Sequence, residues 1–268
     1  MYDDAIIVAI ARPGFKGLLK KFEPSFKSAL KPSHQGKDGR WYADMQTPIS
    51  YLYHANLVPK DKVPLDWDEL LQSRYAKSFV VRFPLESGTM RALYSALIDR
   101  QIRKGRDLKA AIAWMRRLEK QVGRYANHSQ VMFQTVGQGV FKYGFWNLPE
   151  IAMRSMQGYP VSFVFPKSGV PVLLDAVGLI ERPDVHPLAK EFVEFVGSKK
   201  FVSESAAPPF NRVPARTDLP AGLVPSYLKD KRYKEMPVNW QRVAREGNKW
   251  LELWKKQVFM NSGQKNAH

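Results

Sequence analysis

One succession recurs along this chain of 268 residues: a short apolar run, a break, then apolar residues at helical spacing. Phe79 to Phe83 is such a run, Pro84 to Thr89 interrupts it, and Met90, Leu93, Tyr94, Leu97 and Ile98 then share one helical stripe. Ala5 to Ile10 stops at Arg12-Pro13-Gly14, and Phe15, Leu18, Leu19 and Phe22 follow. An unbroken run rich in Ile and Val fits a strand covered on both faces, as in a parallel sheet. Strand, turn and helix in that order form the unit of an α/β protein, so the expected fold class is α/β.

The rest of the chain extends this pattern. Pro32 to Arg40 reads as a polar loop and Ile49 to Tyr53 as a strand. Asp66 with Glu69 three residues on predicts a capped helix that buries Trp67, Leu70 and Leu71. A helix carries Leu108, Ala111, Ile112, Met115 and Leu118, and Val140–Trp146, Val161–Phe165 and Val172–Ile180 read as strands. A helix with Leu188, Phe192, Phe195 and Val196 is expected to end at Gly197 in the left-handed conformation. Asn239 can cap a last helix, in which Trp240, Val243, Gly247, Trp250 and Trp254 face a core.

Composition narrows the function. The chain has no cysteine, which excludes disulfides, thiolate metal sites and a cysteine nucleophile. No apolar run approaches the roughly 20 residues that span a bilayer. Lys and Arg number 42 against 25 Asp and Glu, a net charge of +17 that favours anionic partners. The basic residues are dispersed along the chain, so a basic solvated exterior is the plainer reading. The five histidines, His34, His54, His128, His186 and His268, show no metal-ligand spacing, and no G-x-S-x-G elbow or P-loop is present. No catalytic residue, metal site or cofactor is expected.

Two segments stand out as candidate ligand contacts. Ser87-Gly88-Thr89 follows a strand and opens a helix, where free amides attract anions and a glycine lets a ligand approach the backbone. The hydroxyls there either cap the helix or add donors to an anion. Tyr143-Gly144-Phe145-Trp146-Asn147 ends a strand in aromatics, either as core or as a pocket wall. The candidate set is therefore Ser87, Gly88, Thr89, Tyr143, Trp146 and Asn147, with Arg12 at the first break.

The order of these pieces resembles a known family. Leu52 to Thr89 carries P-x-x-W-x-x-L at Pro64 to Leu70, then a strand, then Ser-Gly-Thr. Val136-Gly137-Gln138-Gly139, Gly158-Tyr159-Pro160-Val161 with Pro166 to Gly169, Asp175 to Ile180, His186 to Ser198 and Asn239 to Trp254 continue it. The whole is similar to bacterial ABC-importer solute-binding proteins of the ferric-ion, phosphonate and polyamine type. That resemblance implies a type II periplasmic-binding fold with a first lobe at 1–50 and 172–224, incomplete at its start, a second at 51–171 and 225–262, and a tail at 263–268. It implies a periplasmic, non-enzymatic monomer, at most peripheral to the membrane, that takes a small anionic ligand to a permease. Ferric-ion members carry adjacent tyrosines at the aromatic strand, and here there is no Tyr-Tyr pair, so the ligand expected is an organic anion such as a phosphonate or sugar phosphate, with chelated ferric ion the remaining member of the set. Two other classes compete: an enzyme on a related two-lobed scaffold, which needs a convergent catalytic pair, and a basic nucleic-acid-binding protein, which needs a basic face with exposed aromatics.

Overall fold

The computed structural model describes residues 18–184, 187–220, 222–229 and 233–263. The expected strand Ala5–Ile10, Arg12, Phe15 and His186 lie outside the described residues. The chain divides into two compact units, residues 1–47 with 172–232 and residues 48–171 with 233–268.

The first unit is built on pairings between distant segments. β1 (Leu19–Lys20) pairs antiparallel with β8 (Leu179–Ile180). A helix through Leu18, Leu19 and Phe22 is therefore not formed: the backbone N–H of Glu181 donates to Leu18, and that of Phe22 donates to Gly39. Pro24 also disfavours helix at the residue before it. β2 (Tyr42–His54) begins seven residues before the expected Ile49; its first part pairs with β9 (Val213–Pro214) and with β7 (Val172–Val177). The expected strand Val172–Ile180 is broken at Gly178, where a Cβ would lie 2.6 Å from the carbonyl oxygen of Arg40.

Phe26, Leu30, Tyr42, Val177, Leu179, Val193, Val196 and Ala215 form this unit's core. Val193 and Val196 come from α5 (Pro187–Val196), and Ser198 then caps α6 (Lys199–Ala206) by accepting from the Phe201 amide. Gly197 is not left-handed as expected. It is required for space, since a Cβ there would lie 2.0 Å from a ring carbon of Phe26.

The second unit holds a sheet in the order β4-β3-β5-β2-β6. β3 (Phe79–Arg82) runs parallel to β4 (Val122–Ala126) and to β5 (Tyr143–Asn147), while β2 runs antiparallel to β5 and to β6 (Val161–Phe163). Expected strands at 140–146 and 161–165 thus form with shifted ends. The helix expected at Asp66 is only a short 3-10 turn, Glu69–Leu71. The capping contacts are partly present: the Trp67 amide donates to Asp66 and the Leu65 amide to Glu69. The run is too short to propagate an α-helix, because Gln72 is already extended.

Helices pack on this sheet. α1 (Gly88–Arg103) lies against α2 (Leu108–Glu119) and against α7 (Trp240–Trp254). Asn239 caps α7 as expected, accepting from the Arg242 amide at 2.9 Å. Buried Asp99 of α1 fastens that end, accepting from the Asn239 amide and the Arg242 guanidinium. Trp250 and Trp254 are buried, whereas Trp240 is only half-buried.

At the end of α2, Glu119 is buried and accepts a hydrogen bond from the Tyr125 hydroxyl at 2.7 Å. Burial pushes its carboxyl up to about 7 from the ordinary 4.5. The folded chain therefore holds this proton more tightly than the unfolded chain. Stability from this group is full below about 4.5, falls as the pH climbs to about 7, and is level above. The loss amounts to about 3 kcal/mol. Glu119→Gln stays neutral throughout, so its melting curve should depend less on pH, with the variant favoured above pH 7. Equal pH slopes for the two proteins would contradict a neutral buried carboxyl.

Candidate functional site

Adjacent parallel strands end together, so whatever follows them gathers at one edge of a sheet. In the second unit β4, β3 and β5 are mutually parallel, and a helix follows each one. β3 leads through Phe83–Ser87 into α1. β4 leads through Asn127 and His128 into α3 (Ser129–Gly137). β5 leads directly into α4 (Leu148–Met156). Strands lie about 4.8 Å apart, so the three strand ends span roughly 10 Å, with the end of β3 in the middle.

Each helix start has a different state. Ser87 is buried and caps α1, its hydroxyl accepting from the Met90 amide at 3.4 Å. The amides of Gly88 and Thr89 have no acceptor among the described residues. Asn147 caps α4, accepting from the Glu150 amide at 2.9 Å. His128 makes no side-chain cap for α3, so the amides of Ser129, Gln130 and Val131 have no acceptor among the described residues. Unsatisfied amides at a helix start carry the positive end of the helix dipole and favour an anion.

Arg82, the last residue of β3, adds a cation at this edge. Its guanidinium donates to the Asn127 carbonyl at 2.8 Å, which ties the end of β3 to the loop after β4. Its Nε is buried without a partner among the described residues. Arg91 donates to the Leu85 carbonyl at 2.8 Å and holds the loop that carries Ser87.

The structure brings Ser87, Gly88, Thr89 and Asn147 to the same edge of the sheet. Trp146 is next to them in sequence but is buried, with its indole N–H donating to Glu150. Tyr143 is at the other end of β5, about 13 Å along the strand. Its ring stacks on Phe79 at 4.9 Å and meets Tyr75 edge-on at 5.4 Å. Burial, and then Tyr75 beside it, push its hydroxyl up to about 12.

His128, Ser129 and Arg82 are absent from the sequence-derived set. The strand before His128 and Ser129 contains Gly123 and Arg124, which hide its apolar pattern. Gly123 allows close strand approach, since a Cβ would lie 2.3 Å from the Lys77 carbonyl oxygen. The usable signal was Asn127-His128-Ser129 ahead of the stripe Met132, Phe133, Val136.

Among the described residues no three His, Asp or Glu side chains gather as a metal-binding group, and no helix is long and apolar enough to cross a membrane.

Solved structures that share this α/β fold include a periplasmic binding protein and iron-binding proteins. AfuA from Actinobacillus pleuropneumoniae, with exogenous fructose-6-phosphate bound, matches with a TM-score of 0.76 at 18% identity, over 95% of this chain and 81% of its own. The apo ferric ion-binding protein A of Pasteurella haemolytica matches with a TM-score of 0.80 at 13% identity, over 98% and 82%. Iron-bound HitA from Pseudomonas aeruginosa matches with a TM-score of 0.72 at 18% identity, over 98% and 81%. These likenesses establish the two-lobed periplasmic-binding fold. No curated protein sequence matches the chain. The family model for bacterial extracellular solute-binding proteins matches residues 9–244, most of both units, and the chain belongs to that family.

Proposed function

We propose that the chain captures a small organic anion, a sugar phosphate or phosphonate, and delivers it to the permease of an ABC importer in the periplasm. The observation that carries this reading is the set of amides without acceptors at the starts of α1 and α3, beside Arg82, at the carboxyl edge of one sheet. A phosphate group accepts several such hydrogen bonds at once and matches the sign of the local charge. AfuA, which shares the fold, holds fructose-6-phosphate.

Ferric ion bound directly by tyrosinate fits less well. The chain has no Tyr-Tyr pair, and Tyr143 packs between rings at the far end of β5. Capture and release need no chemical step: a ligand that contacts the closed state better than the open one shifts the population toward closure. Native mass spectrometry of the chain purified without denaturation tests the reading, and the expected spectrum shows a small organic anion retained.

A further inference from the structure

We infer that the outer face of α2, with the turn that follows α7, is a surface for the anionic headgroups of a lipid bilayer. This face lies in the second unit and shares no residue with the strand-edge site. From 108 to 120, every exposed residue except Ala113 is a Lys or Arg: Lys109, Arg116, Arg117 and Lys120. The π-helical turn Lys255–Phe259 packs against α2, with the Arg116 guanidinium donating to the Gln257 carbonyl at 3.4 Å. That contact brings exposed Lys256, next to Gln257 in the chain, to the Arg116 part of this face.

None of these five side chains forms an ion pair among the described residues. The nearby carboxylates offset them only in part, two exposed acids against five cations. Glu119 is buried, Asp107 caps α2 through the Ala110 amide at 2.7 Å, and Glu252 on α7 is exposed but pairs with none of the five. Like charges gathered in excess of their counter-charge cost free energy in the free protein, and that cost becomes attraction beside a surface of fixed negative charge.

Two observations favour a bilayer over a nucleic acid. Trp114, Trp250, Trp254 and Phe259 are buried, and half-buried Trp240 starts α7, about 21 Å along the helix from the turn, so the face offers no ring for base stacking. Met260, one residue past the turn, is 67% exposed and supplies an apolar side chain that can enter the headgroup layer among the lysines. The cations are long and flexible, and their apolar stems can lie along the interface with the charges at the phosphates.

Co-sedimentation with lipid vesicles tests this surface on the full chain. Binding is expected to vesicles of phosphatidylglycerol with phosphatidylcholine, not to phosphatidylcholine alone, and it should fall steeply as salt is raised. Arg116→Glu, Arg117→Glu and Lys120→Glu together should weaken binding on the order of a hundredfold or more, given the strength of each basic contact. Lys109→Gln with Lys256→Gln gives a milder loss should the triple variant fold poorly. A control triple, Lys190→Glu, Lys200→Glu and Lys229→Glu, makes the same change in net charge elsewhere and should leave most of the binding intact. The inference is overturned by equal binding to neutral vesicles, by equal loss in the control, or by duplex DNA that binds as tightly and responds to the same variants.

Discussion

Gly88→Asp is expected to abolish anion binding while the chain stays folded. Gly88 is the first residue of α1, and its amide has no acceptor among the described residues. An Asp there places a carboxylate at the positive end of the helix, which is favourable for the helix itself by up to about 1 kcal/mol. The same carboxylate stands where the ligand's charge would sit. Two like charges about 4 Å apart repel by about 4 kcal/mol at the effective dielectric of a protein surface, which is roughly a thousandfold in affinity. Calorimetry with fructose-6-phosphate should therefore show no heat of binding for the variant, while its melting temperature is unchanged or slightly higher. An unchanged affinity would remove Gly88 from the site. A collapse of stability would mean that the residue serves the fold.

Gly197→Ala is expected to cost the first unit at least as much as any other single methyl group added to it. The new Cβ would fall 2.0 to 2.3 Å from three ring carbons of Phe26. Phe26 cannot swing away cheaply: it is 3% exposed and meets Tyr42 edge-on at 6.1 Å. Either the ring leaves its rotamer or the α5–α6 junction moves, and overpacking of this kind costs about 1–3 kcal/mol. Hydrogen exchange should show lost protection in β1, β8, α5 and α6, with the second unit's sheet unaffected. Phe26→Leu in the same chain should recover part of the loss, because it removes the ring that the methyl meets. Wild-type protection in Gly197→Ala would refute this account of the glycine.

The same glycine shows where sequence reasoning reaches and where it stops. A glycine after an apolar stripe marks a helix end correctly, but the stripe carries no information on what lies across the core. Phe26 is 171 residues away in the chain, and only the packed unit reveals the contact. Elements whose signal is local were legible: the stripe of α1, the Asn239 cap of α7 and the run of β3. Elements made by distant partners were not. β1 is a strand because Leu179–Ile180 pairs with it, and β4 forms beside Lys77 through a glycine that breaks its pattern.

The candidate site divides the same way. Ser87-Gly88-Thr89 was readable because strand, break and helix lie in one stretch of chain. Its neighbours across the edge, Arg82 and His128-Ser129, become visible only once β4 is known to run parallel to β3. Tyr143 looked equivalent to Trp146 and Asn147 in the sequence. The strand separates them by its own length, with Tyr143 among the rings of Tyr75 and Phe79.

This solute-binding protein is expected to carry an organic anion, and the mass of the bound species reports on it without a labelled probe. Native mass spectrometry of the chain isolated without denaturation should show an added small molecule, released on unfolding, whose fragments include phosphate or phosphonate. The Gly88→Asp chain prepared in parallel should lack it. A lone ferric ion in place of that molecule, or an identical organic adduct on both chains, would contradict the account.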